Sequence, residues 1–293
     1  MTAPYPFSAG QAVAQAQLPT GACDSHIHVY DDSVAPVAGA ALRPPQATVD
    51  DYRRIQARMG TQRAVLVTPS TYGCNNAPML AGLAQMGAQA RGVAVVSGEE
   101  SDEQLQQMHQ QGVRGVRINL SLGQGPEASA VEPIALRIAP LGWHLQLLMP
   151  VDQLLEMALL LRRLPVDLVF DHFARIAPAQ AGQHPAHALV LDLLRGGRAW
   201  LKLSGGYLVS ATHSVDDPTL DALAHSFIEA APERMVWGSD WPHATASAGR
   251  HPYPDDARQV ERLAQWAGDA DTLRRVLVSN PQRLYGFDPL PTP

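Results

Sequence analysis

The chain has 293 residues, 46% of them hydrophobic, and a formal net charge of −6. That apolar content builds a sizeable core and excludes a disordered or fibrous chain. A mildly acidic chain without a basic run argues against nucleic acid or an anionic membrane surface as partner.

Eight short apolar segments read as strands, in chain order Ala22–Val29, Ala64–Thr68, Gly92–Ser97, Gly115–Leu120, His144–Met149, Asp167–Asp171, Ala199–Leu203 and Met235–Ser239. They have the style of parallel strands buried on both faces. Helical patterns separate them, at Val49–Met59, Ala77–Ala88, Asp102–Gln111, Glu132–Ile138, Asp152–Leu164, Ala186–Leu194, Thr219–Ala230 and Asp256–Ala267, with one more at Asp271–Val278. Ser101 and Gln104 form a capping box, and Gly60, Gly112 and Gly196 sit where a left-handed residue would end a helix.

Helix-to-strand connections are short, whereas strand-to-helix connections such as Tyr30–Thr48, Phe173–Pro185 and Trp241–Asp255 are long and rich in Gly, Pro and polar residues. This is the pattern of a single-domain (β/α)8 TIM barrel with its active site at the carboxyl ends of the strands. A doubly wound sheet is the alternative, but it rarely reaches eight regular alternations. The barrel is expected over residues 21–287, with 1–20 a loose N-terminal extension and 288–293 a C-terminal tail. No apolar stretch reaches the roughly 18 residues of a membrane span, and Met1–Thr20 lacks the features of a signal peptide. Cys23 and Cys74 lack CxxC spacing, which points to a reducing, cytoplasmic location without disulfides or a thiolate metal site.

Strand one ends Asp24-Ser25-His26-Ile27-His28. Residues two apart in a strand face the same way, so Asp24, His26 and His28 are expected on one face. Strand six ends in Asp171-His172 and strand eight in Gly238-Ser239-Asp240. His172 alone is as readily a core histidine. A carboxylate at the end of a buried strand is costly unless paired or functional. In a closed barrel His26, His28, His172 and Asp240 can converge on the axis, enough to activate water and stabilise an oxyanion. Arg117 and Arg175 are expected to bind a carboxylate. His243, three residues past Asp240, is placed to touch substrate or orient Asp240.

The segments CDSHIHV (Cys23–Val29), VRGVRINL (Val113–Leu120), GWH (Gly142–His144), DHFAR (Asp171–Arg175), GSDWPH (Gly238–His243) and NPQRLY (Asn280–Tyr285) resemble the amidohydrolase superfamily. More narrowly they resemble its 2-pyrone-4,6-dicarboxylate lactonase branch, which also holds sugar-lactone isomerases and muconolactone-type hydrolases. The resemblance spans about Gly21 to Phe287. It implies a (β/α)8 barrel acting on a small carboxylated lactone, with Ser70 among the substrate contacts. Metal-dependent members take a further ligand from the end of strand five, where Leu147-Leu148-Met149 offers none. The branch resembled works without a metal, so no cofactor is expected. His26, His28, His172 and Asp240 would be the ligands if one Zn²⁺ were bound.

The expected mechanism makes Asp240 the general base for water attacking the lactone carbonyl, with the three histidines polarising its oxygen. The branch's further arginines after strands four and seven are missing here; Tyr207 stands in the second of these loops as a candidate substrate contact. Fewer cations suggest fewer substrate carboxylates, although Arg43 and Arg250 could restore charge. Isomerisation on the same site, a Zn-dependent decarboxylase or hydrolase, and a non-catalytic carboxylate-binding barrel are the competing readings. Oligomeric state is not legible.

Overall fold

The computed structural model describes residues 5–123 and 125–289. Residues 1–4 of the expected extension, Gln124 and residues 290–293 of the expected tail lie outside them. Eight parallel strands, β1 (Cys23–Ile27), β2 (Arg63–Val67), β3 (Ala90–Ala94), β4 (Val113–Asn119), β5 (His144–Leu148), β6 (Leu168–Phe170), β7 (Ala199–Ser204) and β8 (Met235–Gly238), pair in sequence order. The backbone after β8 closes the ring on β1, with Asp240 N donating to His26 O and His28 N donating to Trp241 O. Gly238 makes this possible: a Cβ there would lie 2.5 Å from His26 Cβ. The fold is a single (β/α)8 barrel.

The core has two layers. Inside the ring, Cys23, Val65, Val67, Val93, Val169, Trp200 and Val236 pack together, and Tyr285 and Phe287 plug the floor. Outside it, the alternate strand residues pack against the helices. The helix α1 (Val49–Met59) begins with a Thr48–Asp51 capping box and ends at Gly60 with φ of 85°. Three expectations shift. The helix expected over Asp152–Leu164 breaks at Met157 into Val151–Glu156 and Ala158–Arg163. The left-handed residue after Pro185–Arg195 is Gly197, with φ of 67°, not Gly196. The last helix runs Ala270–Arg274, then a π turn Arg275–Ser279, then Asn280–Tyr285.

The stretch read as a loose extension makes specific contacts. The buried guanidinium of Arg58 donates to Ser8 Oγ, Ala9 O and Ala12 O and pairs with Asp255 at 2.6 Å. Trp241 Nε1 donates to Pro6 O, and Phe7 meets the same indole edge-on. These contacts fasten the segment over α1 and the loop after β8. Among the described residues no helix is long and apolar enough to cross a membrane.

Candidate active site

The site forms where β1, β6 and β8 end. The strand period that should have put Asp24 beside His26 and His28 fails, because the β1–β2 register shifts between Asp24 and Ile27. Asp24 turns outward and accepts hydrogen bonds from Tyr52 Oη and from Ser239 N and Oγ. Burial raises its pKa to about 6. Its work is to tie α1 and the end of β8 to β1. His26 and His28 do face inward together, with their Nε2 atoms 3.3 Å apart.

His172 and Asp240 complete the group. The Nε2 atoms of His26, His28 and His172 lie 3.6, 3.7 and 3.7 Å from one oxygen, Asp240 Oδ1. The other oxygen, Oδ2, accepts a hydrogen bond from Tyr207 Oη at 2.6 Å. Burial opposes charge on Asp240, but the three imidazoles and the Tyr207 hydroxyl hold its pKa down to about 2. Burial, with Arg117 adding to it, lowers His28 to about 4. Burial and then Lys202 hold His26 well below the ordinary histidine value. At neutral pH the site is an ionised carboxylate among neutral imidazoles.

The backbone that presents these groups is unusual. His172, Phe173, Ala174 and Arg175 all have φ between 50° and 59°, a left-handed turn without glycine. Such residues cost about 1–2 kcal/mol each. Packing offsets the cost, since Phe173 is fully buried and meets Trp266 edge-on. The turn brings His172 and Arg175 into one cavity, with His172 Nδ1 held 2.9 Å from Ser204 Oγ. Asp240, with φ of 67°, is placed by the same kind of strain.

The cavity has a volume of about 200 Å³. His28, His172 and Asp240 line its base, and Ser70, Arg117, Asn119, Arg175 and Arg250 line its walls with Tyr30, Leu42, Leu122, Leu148 and Leu208. Arg117 Nε donates to Asp171 at 3.0 Å, and Asn119 Nδ2 donates to Ser70 Oγ at 2.8 Å. Arg175 is mostly buried and, among the described residues, makes no ion pair or hydrogen bond. It is a cation facing the cavity without a counter-ion held against it. Arg43 is exposed and outside the cavity lining.

Tyr207 and His243 are fully buried and do not line the cavity. They stand behind Asp240. Tyr207 Oη lies 3.1 Å from His243 Nδ1, and His243 Nε2 lies 3.2 Å from Asp256, which Gln259 also contacts. Of the two roles foreseen for His243, the structure places it where it can orient Asp240.

Three buried polar residues beneath the histidines were not foreseen. Gln146 on β5, Asp171 and Lys202 on β7 form one network: Lys202 Nζ donates to Gln146 Oε1 at 2.7 Å, and Gln146 Nε2 donates to Asp171 Oδ2 at 2.9 Å. Burial works against the charge of Asp171, but Lys202 and Arg117 keep it ionised. The signal was present: a lysine and a glutamine at inward positions of apolar strands are costly without partners.

The donor set also suits a metal. His26, His28 and Asp240 offer atoms at 3.3–3.7 Å separations, near the roughly 3.4 Å between ligands of tetrahedral zinc. His26, Asp171 and His172 form a second such group.

The family model described as Amidohydrolase matches residues 23–287, nearly the whole barrel. The chain belongs to the amidohydrolase family. It is 32% identical over 284 residues to the 2-pyrone-4,6-dicarboxylate hydrolase of Comamonas testosteroni, covering 92% of each chain. It is 29% identical over 277 residues to the D-galactarolactone isomerase of Agrobacterium fabrum, covering 93% of this amidohydrolase and 94% of that protein. Among solved structures, an Agrobacterium tumefaciens protein superimposes with a TM-score of 0.83 at 28% identity, over 93% of this chain and 98% of that one.

Proposed function

We propose that this amidohydrolase opens a small carboxylated lactone by hydrolysis, with Asp240 as general base. The observation that carries the reading is the convergence of three imidazole Nε2 atoms on one oxygen of an ionised carboxylate, at the base of a cavity that His28 and His172 line together with Arg117 and Arg175. The lactone's carboxylate pairs with Arg175 and Arg117, which sets its ring over the histidines. Asp240 takes a proton from water as the water oxygen attacks the carbonyl carbon. Imidazole N–H groups of the site face the carbonyl oxygen and stabilise the negative charge that develops there. The C–O bond to the ring oxygen then breaks, and the proton on Asp240 passes to that leaving oxygen. Tyr207, His243 and Asp256 orient the carboxylate from behind. A pyrone dicarboxylate, a muconolactone and a sugar-acid lactone all belong to this class. Arg250 joins Arg117 and Arg175 in the walls and restores part of the positive charge, while the leucines beside them favour the apolar face of the ring.

Two second readings have specific support. The likeness to D-galactarolactone isomerase supports isomerisation, for which one base and nearby donors also serve. The spacing of His26, His28 and Asp240 supports a metal-dependent reaction; a bound Zn²⁺ would act as a Lewis acid on the carbonyl. Against it, no carboxylate or imidazole stands at the carboxyl end of β5, and we favour a metal-free enzyme. The unpaired Cys23 and Cys74 support a reducing compartment such as the cytoplasm.

The test is the metal content of purified protein together with turnover of a lactone panel before and after chelation. Ring opening without metal, unchanged by chelation, is the expected result. Stoichiometric zinc with activity lost on chelation would replace the mechanism by the metal-dependent one. Asp240→Asn that binds but does not turn over is expected; unchanged turnover would remove Asp240 as the base.

A further inference from the structure

Strand β7 carries a lysine that the chemistry above does not use. Lys202 is fully buried, and its Nζ lies 2.7 Å from Gln146 Oε1, 3.2 Å from His26 Nδ1 and 3.5 Å from Asp171 Oδ1. An ammonium only donates, so Nδ1 of His26 accepts. The other end of the histidine pair fixes the same direction. His28 Nδ1 lies 2.7 Å from the carbonyl oxygen of Val67, which only accepts, so that nitrogen carries the His28 proton. In a neutral imidazole the Nε2 of His28 is then bare. The 3.3 Å contact between the two Nε2 atoms therefore takes its hydrogen from His26. Every bond from Lys202 through His26 and His28 to Val67 runs one way.

We propose that Lys202 is the positioning residue of the histidine pair, fixing His26 as an Nε2–H donor and leaving His28 Nε2 a bare acceptor. The two histidines then have different tasks. On substrate binding the His26 hydrogen turns from His28 Nε2 to the oxygen that becomes negative, which frees the His28 Nε2 lone pair to accept a hydrogen bond from the attacking water. The division of tasks rests on the lactone reading; the tautomers do not. They also bear on zinc, because an Nε2 that carries a proton is a donor and not a ligand.

Asp171 supplies the contrast. Its Oδ1 lies 3.3 Å from the same His26 Nδ1 and accepts no hydrogen bond among the described residues. A hydrogen on Nδ1 would suit Asp171, but it would face the ammonium of Lys202. Without the lysine, His26 should change tautomer and donate Nδ1–H to Asp171.

Side-chain 15N NMR of the full chain reads this directly, with His26 assigned by the signal lost in His26→Gln. The expected result is Nε2–H on His26 and Nδ1–H on His28 in the wild type, and Nδ1–H on His26 in Lys202→Met. Turnover of the lactone identified by the panel should fall about 100-fold in kcat in Lys202→Met, with KM within about threefold, as for loss of an oxyanion donor. Lys202→Arg should restore the His26 tautomer. An Nδ1–H tautomer of His26 in the wild type overturns the proposal, and needs no Lys202 variant to fold. A tautomer unchanged in Lys202→Met overturns it as well. The expected tautomers in a protein that opens no lactone would support it while removing the proposed function.

Discussion

The two ends of the barrel bury polar groups in opposite ways. At the carboxyl end each catalytic candidate has a directed partner: Asp240 has Tyr207, His172 has Ser204, and His26 and His28 have each other. At the amino end His144, on β5, is buried with neither ring nitrogen hydrogen-bonded, and Arg63 and Arg91 stack on Phe287 and donate only to backbone carbonyls, with the Nε of each unpaired. The mouth fixes protons and charges in place; the floor closes the ring by shape. A directed hydrogen-bond network marks a site that acts, whereas buried polarity by itself does not.

If the comparison holds, damage at the mouth should reach chemistry first. The largest effect is expected for Asp240→Asn, a fall in kcat of about 10³-fold or more with KM little changed, measured on the lactone that the wild type opens best. Next comes Arg175→Gln, which removes the cation without a counter-ion. Its KM should rise roughly 10- to 100-fold, the loss of a charge-assisted contact, while kcat changes less. Equal KM values for carboxylated and uncarboxylated lactones in the wild type would break the assignment. A smaller effect concerns pH. His28 must be neutral for its Nε2 to accept a hydrogen bond from the attacking water, and its pKa is lowered to about 4. The acid limb of kcat/KM should therefore lie near pH 4 rather than near the ordinary histidine value of about 6.5. An acid limb near 6.5 would show that His28 titrates as a solvated imidazole.

The sequence carried the mouth further than the floor. Period and loop length were enough for the eight strands, because each is a short apolar run with a long loop at one end. His26, His28, His172 and Asp240 were legible because imidazoles and a carboxylate at the ends of buried strands have few other uses. Asp24 was misplaced because a register shift inside a five-residue strand leaves no mark on the alternation. Tyr207 was read as a substrate contact, but the helical turn after β7 puts it behind Asp240. The strand patterns do not mark Lys202 and Gln146, because their partners lie on other strands and single-strand patterns carry no cross-barrel information. The contacts of Arg58 with residues 8–12 are of the same kind, about 50 positions apart in the chain.

His144 tests the other side of the comparison, where the effect is smallest and falls on stability. Gly115 is the reason that the ring fits, since a Cβ there would lie 2.3 Å from Nε2. Burial, and then the charge of Lys202, lower the His144 pKa to about 3. The folded state thus keeps His144 neutral while the unfolded chain protonates it below about pH 6.5. Between those values the unfolded state binds more protons, so His144 withdraws stability as the pH falls. His144→Leu removes both the unpaired nitrogens and this proton uptake. Denaturant melts at neutral pH should show the variant as stable as the wild type or about 1 kcal/mol more stable. At about pH 5 the difference should widen in the variant's favour by roughly 1–2 kcal/mol, with kcat on the lactone unchanged. A variant that lost stability equally at both pH values would show that the ring's packing outweighs its polarity. One that lost turnover would join the floor to the catalytic network and end the distinction between the two ends.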